Sequence, residues 1–577
     1  MSTCRLRPTT VDVMYLTQTT SMYRAMMCQE IVENVCEFLS PSSSLEDSYR
    51  RADDKGNKGA LARLARTCKA FSDPALRVLW RRLDTIRNLL QLLPQYRHPL
   101  PSDAFKMLRS VTPRQTLISS KPDEDDWTRL RSYAIRVREL EYCIWTRVDS
   151  ASSSILSDMC NGGPLLPRLE RLLEFDISAG CDAVIVELLF PVSLRSITLS
   201  CDAWYEGAPA LKEQDTLQSI IARVPNLRNL SLDRNVARCT SLDSIKKLQD
   251  LQSLSLDVAV AVDDVILVHC GFLPSLRDFS CRIDTRHATK RPNIRGAFHS
   301  LSRISLQGSA RDIVWFFEET SAHNLREVSL VFDWASTADE LLQSVPEALN
   351  AVPPLTRSVS VRVTIELSQP LSLINALEPL RDLQALEEVI VTCRQPVSLP
   401  ADDLVHMATA WSHLRVLHVS GHGFDPLTTT LHARILELVA LHCPRLESLW
   451  LPRLEFCGLP LQEHEPVLDH GLADLDFYPI ASVKMDADAE QDDPDALDVV
   501  AVWQNAALLI DRLFPALDLD ATDGPRLIRI AKKGGREITR FLSALHIGRR
   551  HARCIDNVQV DGVGEHSCGF SLTPVLS

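Results

Sequence analysis

The feature that most constrains the fold is a short leucine motif that recurs at a nearly constant interval. Residues 227–235 read Leu-Arg-Asn-Leu-Ser-Leu-Asp-Arg-Asn, with apolar residues at the first, fourth and sixth places. The same core begins again at Leu251, Leu276, Leu301 and Leu325, so that successive intervals are 24, 25, 25 and 24 residues. Self-similarity at a fixed period of roughly 20–29 residues indicates an array of leucine-rich structural repeats.

Further copies of this motif extend the array in both directions at less regular spacing. They are Val137/Leu140, Leu169/Leu172, Leu194/Ile197/Leu199, Leu386/Val389/Val391, Leu414/Leu417/Val419 and Leu446/Leu449/Leu451. Each Leu-x-Leu is predicted to be a short strand, because alternate strand residues point to one face. We therefore expect an α/β leucine-rich-repeat solenoid, with parallel short strands on the concave side and helices or irregular turns on the convex side. The stretch from Cys443 to Leu451 resembles the cysteine-containing form of the leucine-rich repeat, which implies that Cys443 packs inward.

The overall composition narrows the class of protein. The chain has 577 residues, of which 45 % are hydrophobic, and a net charge of −13. A mean hydropathy of −0.03 and the lack of a long apolar stretch argue against a membrane protein. The acidic balance argues against nucleic acid as the main partner, because phosphate binding needs a basic face. Sixteen scattered cysteines without a C-x-x-C pair predict reduced, buried thiols and a cytoplasmic or nuclear protein.

A different pattern precedes the repeats. Residues 29–39 are predicted to form a helix with Ile31, Val35 and Phe38 on one stripe, and residues 40–56 a polar loop. A second helix is expected to carry Leu61, Leu64, Ala65 and Cys68, and a third to begin at Asp73-Pro74 and carry Leu76, Leu79, Trp80 and Leu83. Three short helices cannot bury all of these stripes among themselves, so part of them is expected to meet a partner.

The residues of this segment resemble an F-box. The matching stretches are Glu30-Ile-Val-Glu-Asn-Val35, Phe38-Leu39, Leu64-Ala-Arg-Thr-Cys68-Lys-Ala-Phe71, Asp73-Pro74-Ala-Leu76 and Val78-Leu79-Trp80. The ending is similar to that of fungal proteins that couple an F-box to degenerate leucine-rich repeats, and the likeness extends over residues 26–460.

This resemblance implies the substrate-recognition subunit of a Skp–cullin–F-box ubiquitin ligase, without a catalytic residue, metal or cofactor of its own. Its partners would be a Skp-type adaptor, through that adaptor a cullin scaffold, and an unknown protein substrate. The residues predicted to contact the adaptor are Ile31, Val35, Leu39, Leu61, Leu64, Leu79 and Trp80. For each of them, packing between the three helices is an equally open alternative.

Two other functions stay open at the level of sequence. A repeat scaffold without ligase association is one, because Met27-Cys28-Gln29 stands where the family has Leu-Pro. An enzyme with dispersed catalytic residues is the other, although no phosphate-binding loop of the Walker type and no G-x-S-x-G motif occurs. The sequence His418-Val-Ser-Gly-His422 is interpreted as a turn that leaves a repeat, and His464 and His470 as part of a solvated acidic loop.

The C-terminal part is expected to close the array. Residues 484–498 are predicted to be an acidic linker, residues 499–513 a helix and residues 515–519 a last strand, followed by a basic tail. The predicted organisation comprises an N-terminal tail (1–25), an F-box-like helical module (26–95), a helical linker (96–136), the solenoid (137–460), an acidic linker (461–498) and a C-terminal cap with a basic tail (499–577).

Overall fold

A computed structural model describes most of the repeats and the helices that precede them. The described residues are 28–40, 51–97, 117–142, 148–177, 183–200, 213–233, 236, 242–256, 264–284, 293–333, 338–364, 371–393, 397–421, 431–456, 470–480, 496–515, 517 and 538–547. The predicted N-terminal tail, residues 41–50 of the polar loop, His422, His464 and residues 484–495 lie outside them, as do Lys532, Lys533, Arg536, Arg549, Arg550 and Arg553 of the predicted basic tail. The chain forms two compact units, Met1–Leu325 and Arg326–Ser577.

The first unit begins with three helices and continues as repeats. Its helices are α1 (Gln29–Phe38), α2 (Arg51–Leu64), α3 (Lys69–Leu79), α4 (Arg87–Leu90), α5 (Glu124–Ala134), α6 (Ser150–Met159), α7 (Ala183–Leu189), α8 (Glu213–Arg223), α9 (Asp264–Gly271) and α10 (Ala310–Glu319), with a 3-10 helix at Leu242–Lys247. Its strands are β1 (Arg82–Leu83), β2 (Tyr96–Arg97), β3 (Leu117–Ile118), β4 (Glu139–Glu141), β5 (Arg171–Asp176), β6 (Ser196–Ser200), β7 (Asn229–Leu232), β8 (Ser253–Leu256), β9 (Asp278–Ile283) and β10 (Arg303–Gly308).

The second unit consists of repeats and a C-terminal helix. Its helices are α11 (Ala338–Asn350), α12 (Leu373–Leu377), α13 (Ala401–Ala410), α14 (Ile435–His442) and α15 (Ala496–Leu513), with a 3-10 helix at Glu378–Asp382 and a further helical stretch at 538–547. Its strands are β11 (Glu327–Phe332), β12 (Ser358–Val363), β13 (Leu371–Ser372), β14 (Glu388–Cys393), β15 (Val397–Ser398), β16 (Val416–Gly421), β17 (Leu431–His432), β18 (Ser448–Glu455) and β19 (Asp474–Ile480). No helix of the described residues is long and apolar enough to cross a membrane.

The main strands of each unit are parallel and follow one another almost in chain order. In the first unit the order is β1, β4, β5, β6, β7, β8, β9, β10, while β2 and β3 form a separate antiparallel pair. In the second unit the order is β11, β12, β14, β16, β18, and β18 also pairs with β17 and β19. Helices or 3-10 turns connect most of the successive main strands, which is the architecture of a leucine-rich-repeat solenoid.

The leading apolar residue of each predicted motif lies in the core. At most 2 % of the surface of each of these residues is exposed: Val137, Leu169, Leu194, Leu227, Leu251, Leu276, Leu301, Leu325, Leu386, Leu414 and Leu446. Within most of the main strands, for example β9 to β12 and β14, the residues alternate between this core and the opposite side of the sheet, which we call the open face. The solenoid fold predicted from the leucine spacing is therefore confirmed.

A recurrent backbone arrangement joins successive repeats within each unit. The residue after the leading position offers its carbonyl oxygen to two successive N–H groups of the following repeat. Arg228, for example, accepts from Gln252 at 2.8 Å and from Ser253 at 2.9 Å, and Arg357 accepts from Glu387 and Glu388 in the same way. The strand backbone is thus satisfied only by a neighbouring repeat, which makes an isolated repeat unfavourable.

Two repeats have no counterpart in the predicted series. Strand β12 follows Thr356, a buried threonine at the leading position whose hydroxyl donates to the carbonyl of Pro353 at 2.7 Å. Strand β19 follows Leu472 and lies inside residues 461–498, which the sequence assigned to an acidic linker. The first repeat was not predicted because its leading residue is polar, and the second was not predicted because acidic residues surround it.

The C-terminal expectations are met in part. Helix α15 spans the predicted residues 499–513 but begins three residues earlier, inside the predicted linker. The closing strand predicted at 515–519 is wrong where it can be compared, because Pro515 is in a turn and Leu517 is in neither a helix nor a strand.

Most of the described cysteines pack as small apolar side chains. Cys36, Cys270, Cys281, Cys393 and Cys443 are buried with free thiols. Burial raises the pKa of Cys443 to about 12, and its Sγ lies 3.5 Å from the carbonyl oxygen of Ala408. Cys68 departs from the expectation, because it is exposed at the start of α3 and belongs to no helical stripe.

Gly308 provides a test of the strand packing in the first unit. A Cβ atom at this position would lie 2.4 Å from the carbonyl oxygen of Ile283 on the neighbouring strand. We expect Gly308→Ala to destabilise the protein by about 1–3 kcal/mol, because backbone atoms must move apart to admit the methyl group. Thermal unfolding would measure this effect as a lowered Tm.

The matched control is Gly56→Ala in the interior of α2, where nothing lies within 4 Å of the added Cβ. We expect this control to leave the Tm unchanged or to raise it slightly, since alanine favours helix over glycine by about 1 kcal/mol. Equal Tm values for Gly308→Ala and the unmodified protein would contradict the packing described for β9 and β10.

Candidate protein-interaction surfaces

The three N-terminal helices form a small module with its own core. The buried residues of this core are Val32, Cys36, Leu61, Ala75 and Val78, and the half-buried Leu39, Leu64, Ala65, Phe71 and Leu79 pack against them. Helix α3 contacts both α1 and α2. The sequence located the helices but misjudged their ends, because apolar spacing does not mark where a helix begins.

Two of these boundaries differ from the prediction. Helix α2 begins at Arg51, inside the predicted polar loop, and ends at Leu64, before Ala65 and Cys68. Helix α3 begins at Lys69, so Asp73 and Pro74 lie inside it instead of forming its start. Asp73 has a different role, since its carboxylate accepts hydrogen bonds from Arg77 at 3.0 Å and Arg136 at 2.7 Å. The bonds from Arg136 and Arg77 lower the pKa of Asp73.

Helix α1 has three distinct faces. Val32 and Cys36 enter the core of the module. Glu33 and Glu37, one turn apart, form ion pairs with Arg77 of α3 and with Arg81 just beyond it. The third face is apolar and exposed to solvent.

This third face, which we call the α1 stripe, consists of Ile31, Val35 and Phe38. Their exposed fractions are 44 %, 48 % and 87 %. They follow one another at intervals of four and three residues, so they lie on one side of the helix. Among the side chains that the structure describes, no other helix carries three large exposed apolar residues. The ion pairs on the neighbouring face fix how α1 is rotated, and that rotation leaves the stripe outside.

The module is joined directly to the first repeat. Only two residues separate the last residue of α3 from β1, and β1 pairs with β4 in the parallel sheet. The rings of Trp80 and Tyr133 lie 4.7 Å apart between their centroids. The Asp73–Arg136 ion pair connects the same two segments. The helices therefore continue into the solenoid without a flexible linker.

The seven residues predicted to contact an adaptor are divided between the surface and the interior. Ile31 and Val35 are exposed on the α1 stripe, whereas Leu61 is fully buried in the module core. The half-buried Leu39, Leu64 and Leu79 pack against that core, and the partly exposed Trp80 packs against Tyr133. For Leu61 the structure favours the packing alternative. Phe38, the most exposed member of the stripe, was on the predicted helix stripe but was not among the predicted contacts.

His418, which was predicted to lie in a turn, is on the open face of the second unit. His418 lies within strand β16, not in a turn. Its Nε2 lies 2.7 Å from Oγ of Ser448, and Ser448 donates its proton to Oδ2 of Asp474 at 2.7 Å. Because the serine proton points to the aspartate, His418 does not act on Ser448 as a base acts on a nucleophile. Burial lowers the pKa of His418 to about 4, although Asp474 opposes this shift.

The other candidate histidine has a structural position. His470 is buried instead of lying in a solvated loop. Its Nε2 donates to the carbonyl oxygen of Cys443 at 2.8 Å, and its Nδ1 accepts from the N–H of Leu472 at 3.1 Å. The Nε2 bond joins two adjacent repeats, and the Nδ1 bond lies within the turn that precedes β19. Among the described residues no group of three or more His, Cys, Asp or Glu side chains could hold a metal ion.

Comparisons with known proteins add little beyond the fold. No protein-family model matches the chain, and no curated protein is significantly similar to it in sequence. One similar solved structure is that of a protein from Bacteroides fragilis, with 13 % identity and a TM-score of 0.26 over 39 % of this chain and 65 % of that one. A second is the leucine-rich-repeat-containing protein LegL7 from Legionella pneumophila, with 14 % identity and a TM-score of 0.30 over 47 % and 89 % of the chains.

A third comes from the complex of Rad7 and Elc1 from yeast, with 14 % identity and a TM-score of 0.29 over 82 % of this chain and 98 % of that one. TM-scores this low carry no argument about function. What the chain does has to be inferred from its own residues.

The environment of His418 predicts a dependence of stability on pH. The folded-state pKa of about 4 lies below the ordinary value of 6.5, so the unfolded chain binds the proton more readily. The stability associated with this residue is therefore complete above pH 6.5 and is lost as the pH falls toward 4, by about 3 kcal/mol at most. We expect the Tm to fall more between pH 7 and pH 5 in the unmodified protein than in His418→Gln. Equal falls in the two proteins would contradict the assignment.

Proposed function

We propose that this chain is the substrate-recognition subunit of a Skp–cullin–F-box ubiquitin ligase. In this proposal the α1 stripe docks on a Skp-type adaptor and the repeats present a protein substrate. The observation that carries it is the position of the stripe: Ile31, Val35 and Phe38 are exposed on a three-helix module whose sequence resembles an F-box.

The α1 stripe has the properties of a docking surface for another protein. Burying a large apolar side chain that was exposed is worth about 1.5–3 kcal/mol, so three neighbouring side chains supply substantial binding energy. Isolated exposed apolar residues are ordinary on protein surfaces, but a contiguous row is not. The half-buried Leu39, directly after α1, extends this apolar surface toward the module core.

The proposed mechanism is positioning, without bond chemistry in this chain. The adaptor and, through it, a cullin scaffold would hold the module while the repeats hold the substrate. The rigid junction at β1, Trp80 and the Asp73–Arg136 pair supports this mechanism, because a fixed distance raises the effective concentration of one bound partner near the other. Such a role requires no catalytic residue or cofactor here, and it belongs to the cytoplasm or the nucleus.

The competing function is a repeat scaffold without ligase association. It gains support from the inward packing of Leu39, Leu61, Leu64 and Leu79, which the sequence had assigned to adaptor contacts. The two functions differ in one measurable respect, because only the first requires the α1 stripe to bind an adaptor.

The experiment is a co-purification of the tagged full-length chain with a Skp-type adaptor. We expect the double substitution Val35→Asp, Phe38→Asp to weaken adaptor binding by about tenfold or more, because a buried unpaired carboxylate is strongly unfavourable in an apolar interface. Val35 and Phe38 do not belong to the buried core, so the module should remain folded.

The matched control is Leu438→Asp, Leu441→Asp on α14. These residues are also exposed, by 39 % and 60 %, and have the same three-residue spacing. This control should retain the adaptor. If the unmodified chain does not bind the adaptor, or if the variant in α1 binds as well as the control, the scaffold function replaces the ligase function.

A further inference from the structure

A fixed tryptophan stands on the open face of the last repeats in the second unit. The strand register places Ile390, His418, Trp450 and Asp476 side by side on β14, β16, β18 and β19. In the row beside them, Ser448 lies opposite Asp474. Trp450 is partly exposed, whereas its neighbours Leu449 and Leu451 are buried on the other side of the sheet.

Two contacts hold the indole of Trp450 in one orientation. Its Nε1 donates to Oδ2 of Asp474 at 2.9 Å, and one of its faces stacks on the His418 ring with 4.1 Å between centroids and 11° between planes. His418 is in turn bonded to Ser448, and Ser448 to Asp474. A side chain fixed in this way loses little conformational freedom when a ligand binds, which favours affinity.

This surface can accept a ligand on its remaining side. No ring of the described residues stacks on the second face of the indole. Both hydrogen bonds to the Asp474 carboxylate involve Oδ2, so Oδ1 receives none from the described residues. A partly exposed indole beside a carboxylate oxygen is a combination that suits a cation which can stack and donate hydrogen bonds at the same time.

The charges on this part of the open face also favour a cation as the ligand. In the two rows of open-face residues that contain Ser448 and Trp450 on β14, β16, β18 and β19, the acidic residues are Glu388, Asp474 and Asp476, and none of the residues is a lysine or an arginine. His418, with a pKa of about 4, is neutral near pH 7 and does not offset them. The nearby Arg415 is already paired with Glu447. The Asp474 carboxylate therefore places a negative charge directly beside the Trp450 indole.

We propose that Trp450 and Asp474 form a binding site for an arginine side chain of a protein partner. The guanidinium would stack on the face of the indole opposite His418 and donate to the Asp474 carboxylate. Arginine fits better than lysine, because its planar group can stack and form directed hydrogen bonds together, whereas an ammonium is compact and strongly hydrated. This proposal rests on the proposed function in one respect: it names the side chain by which the repeats would recognise a substrate.

The test selects ligands for the purified full-length chain, without adaptor, from a phage-displayed library of random dodecapeptides. We expect arginine to be enriched over the input library, and the best peptide to bind about tenfold more weakly when its arginine is replaced by the uncharged isostere citrulline. Fluorescence anisotropy of the labelled peptides measures this difference.

Variants of the chain then locate the site. Asp474→Asn keeps an oxygen that can accept from Ser448 and Trp450 but removes the charge, and Trp450→Phe keeps an aromatic ring. We expect each substitution to weaken the binding of the arginine-containing peptide by about 5–30-fold. Asp402→Asn, the same charge change at an exposed position of α13, is the matched control and should bind within twofold of the unmodified chain.

Three results would overturn the proposal: a selected pool without arginine enrichment, a pool enriched in lysine in place of arginine, or equal binding by Asp474→Asn and the control. Thermal unfolding of each variant shows whether weak binding reflects loss of the fold, and Trp450→Phe and Asp474→Asn must both retain the Tm for their binding to be counted. Because no adaptor is present, failure here is independent of failure in the co-purification.

Discussion

The structure depends on the way each repeat completes the backbone hydrogen bonds of its neighbour. A single carbonyl after each leading residue accepts two N–H groups from the following repeat, and the leading residue itself fills the core beneath. Neither the polar backbone nor the apolar face of one repeat is satisfied alone. This requirement explains why a buried threonine serves as well as leucine at position 356: its hydroxyl finds a partner within its own turn, and the strand still finds one on each side.

The same requirement determines the junction with the helical module. Strand β1 lies directly after α3 and pairs with β4, so the first repeat is capped by the chain that leaves the helices. The Trp80–Tyr133 contact and the Asp73–Arg136 pair strengthen that junction. A module fixed in this way holds a protein that is bound to it at a constant position relative to the first repeats, and the proposed function uses this property.

The repeat motifs were predictable because their signal is local and periodic. Eleven leading positions chosen from the sequence are all buried before strands of the sheet. The repeats at Thr356 and Leu472 were not predicted. The leading residue is polar in the first, and the second lies in acidic surroundings. In the helical module, residues 31–39 contain two adjacent apolar stripes, Ile31/Val35/Phe38 and Val32/Cys36/Leu39. Their spacing is equally helical, so periodicity could not decide which of them would be buried.

The sequence by itself determined the parallel array, the position of most strands and the helical character of residues 29–38, since each depends on the spacing of apolar side chains along the chain. Only the tertiary structure decided which face of α1 is exposed, because that depends on the ion pairs of Glu33 and Glu37 with arginines more than forty residues away. It also brought His418, Trp450 and Asp474 together from three strands. Contacts between distant residues arise from strand register, and register is a property of the assembled sheet.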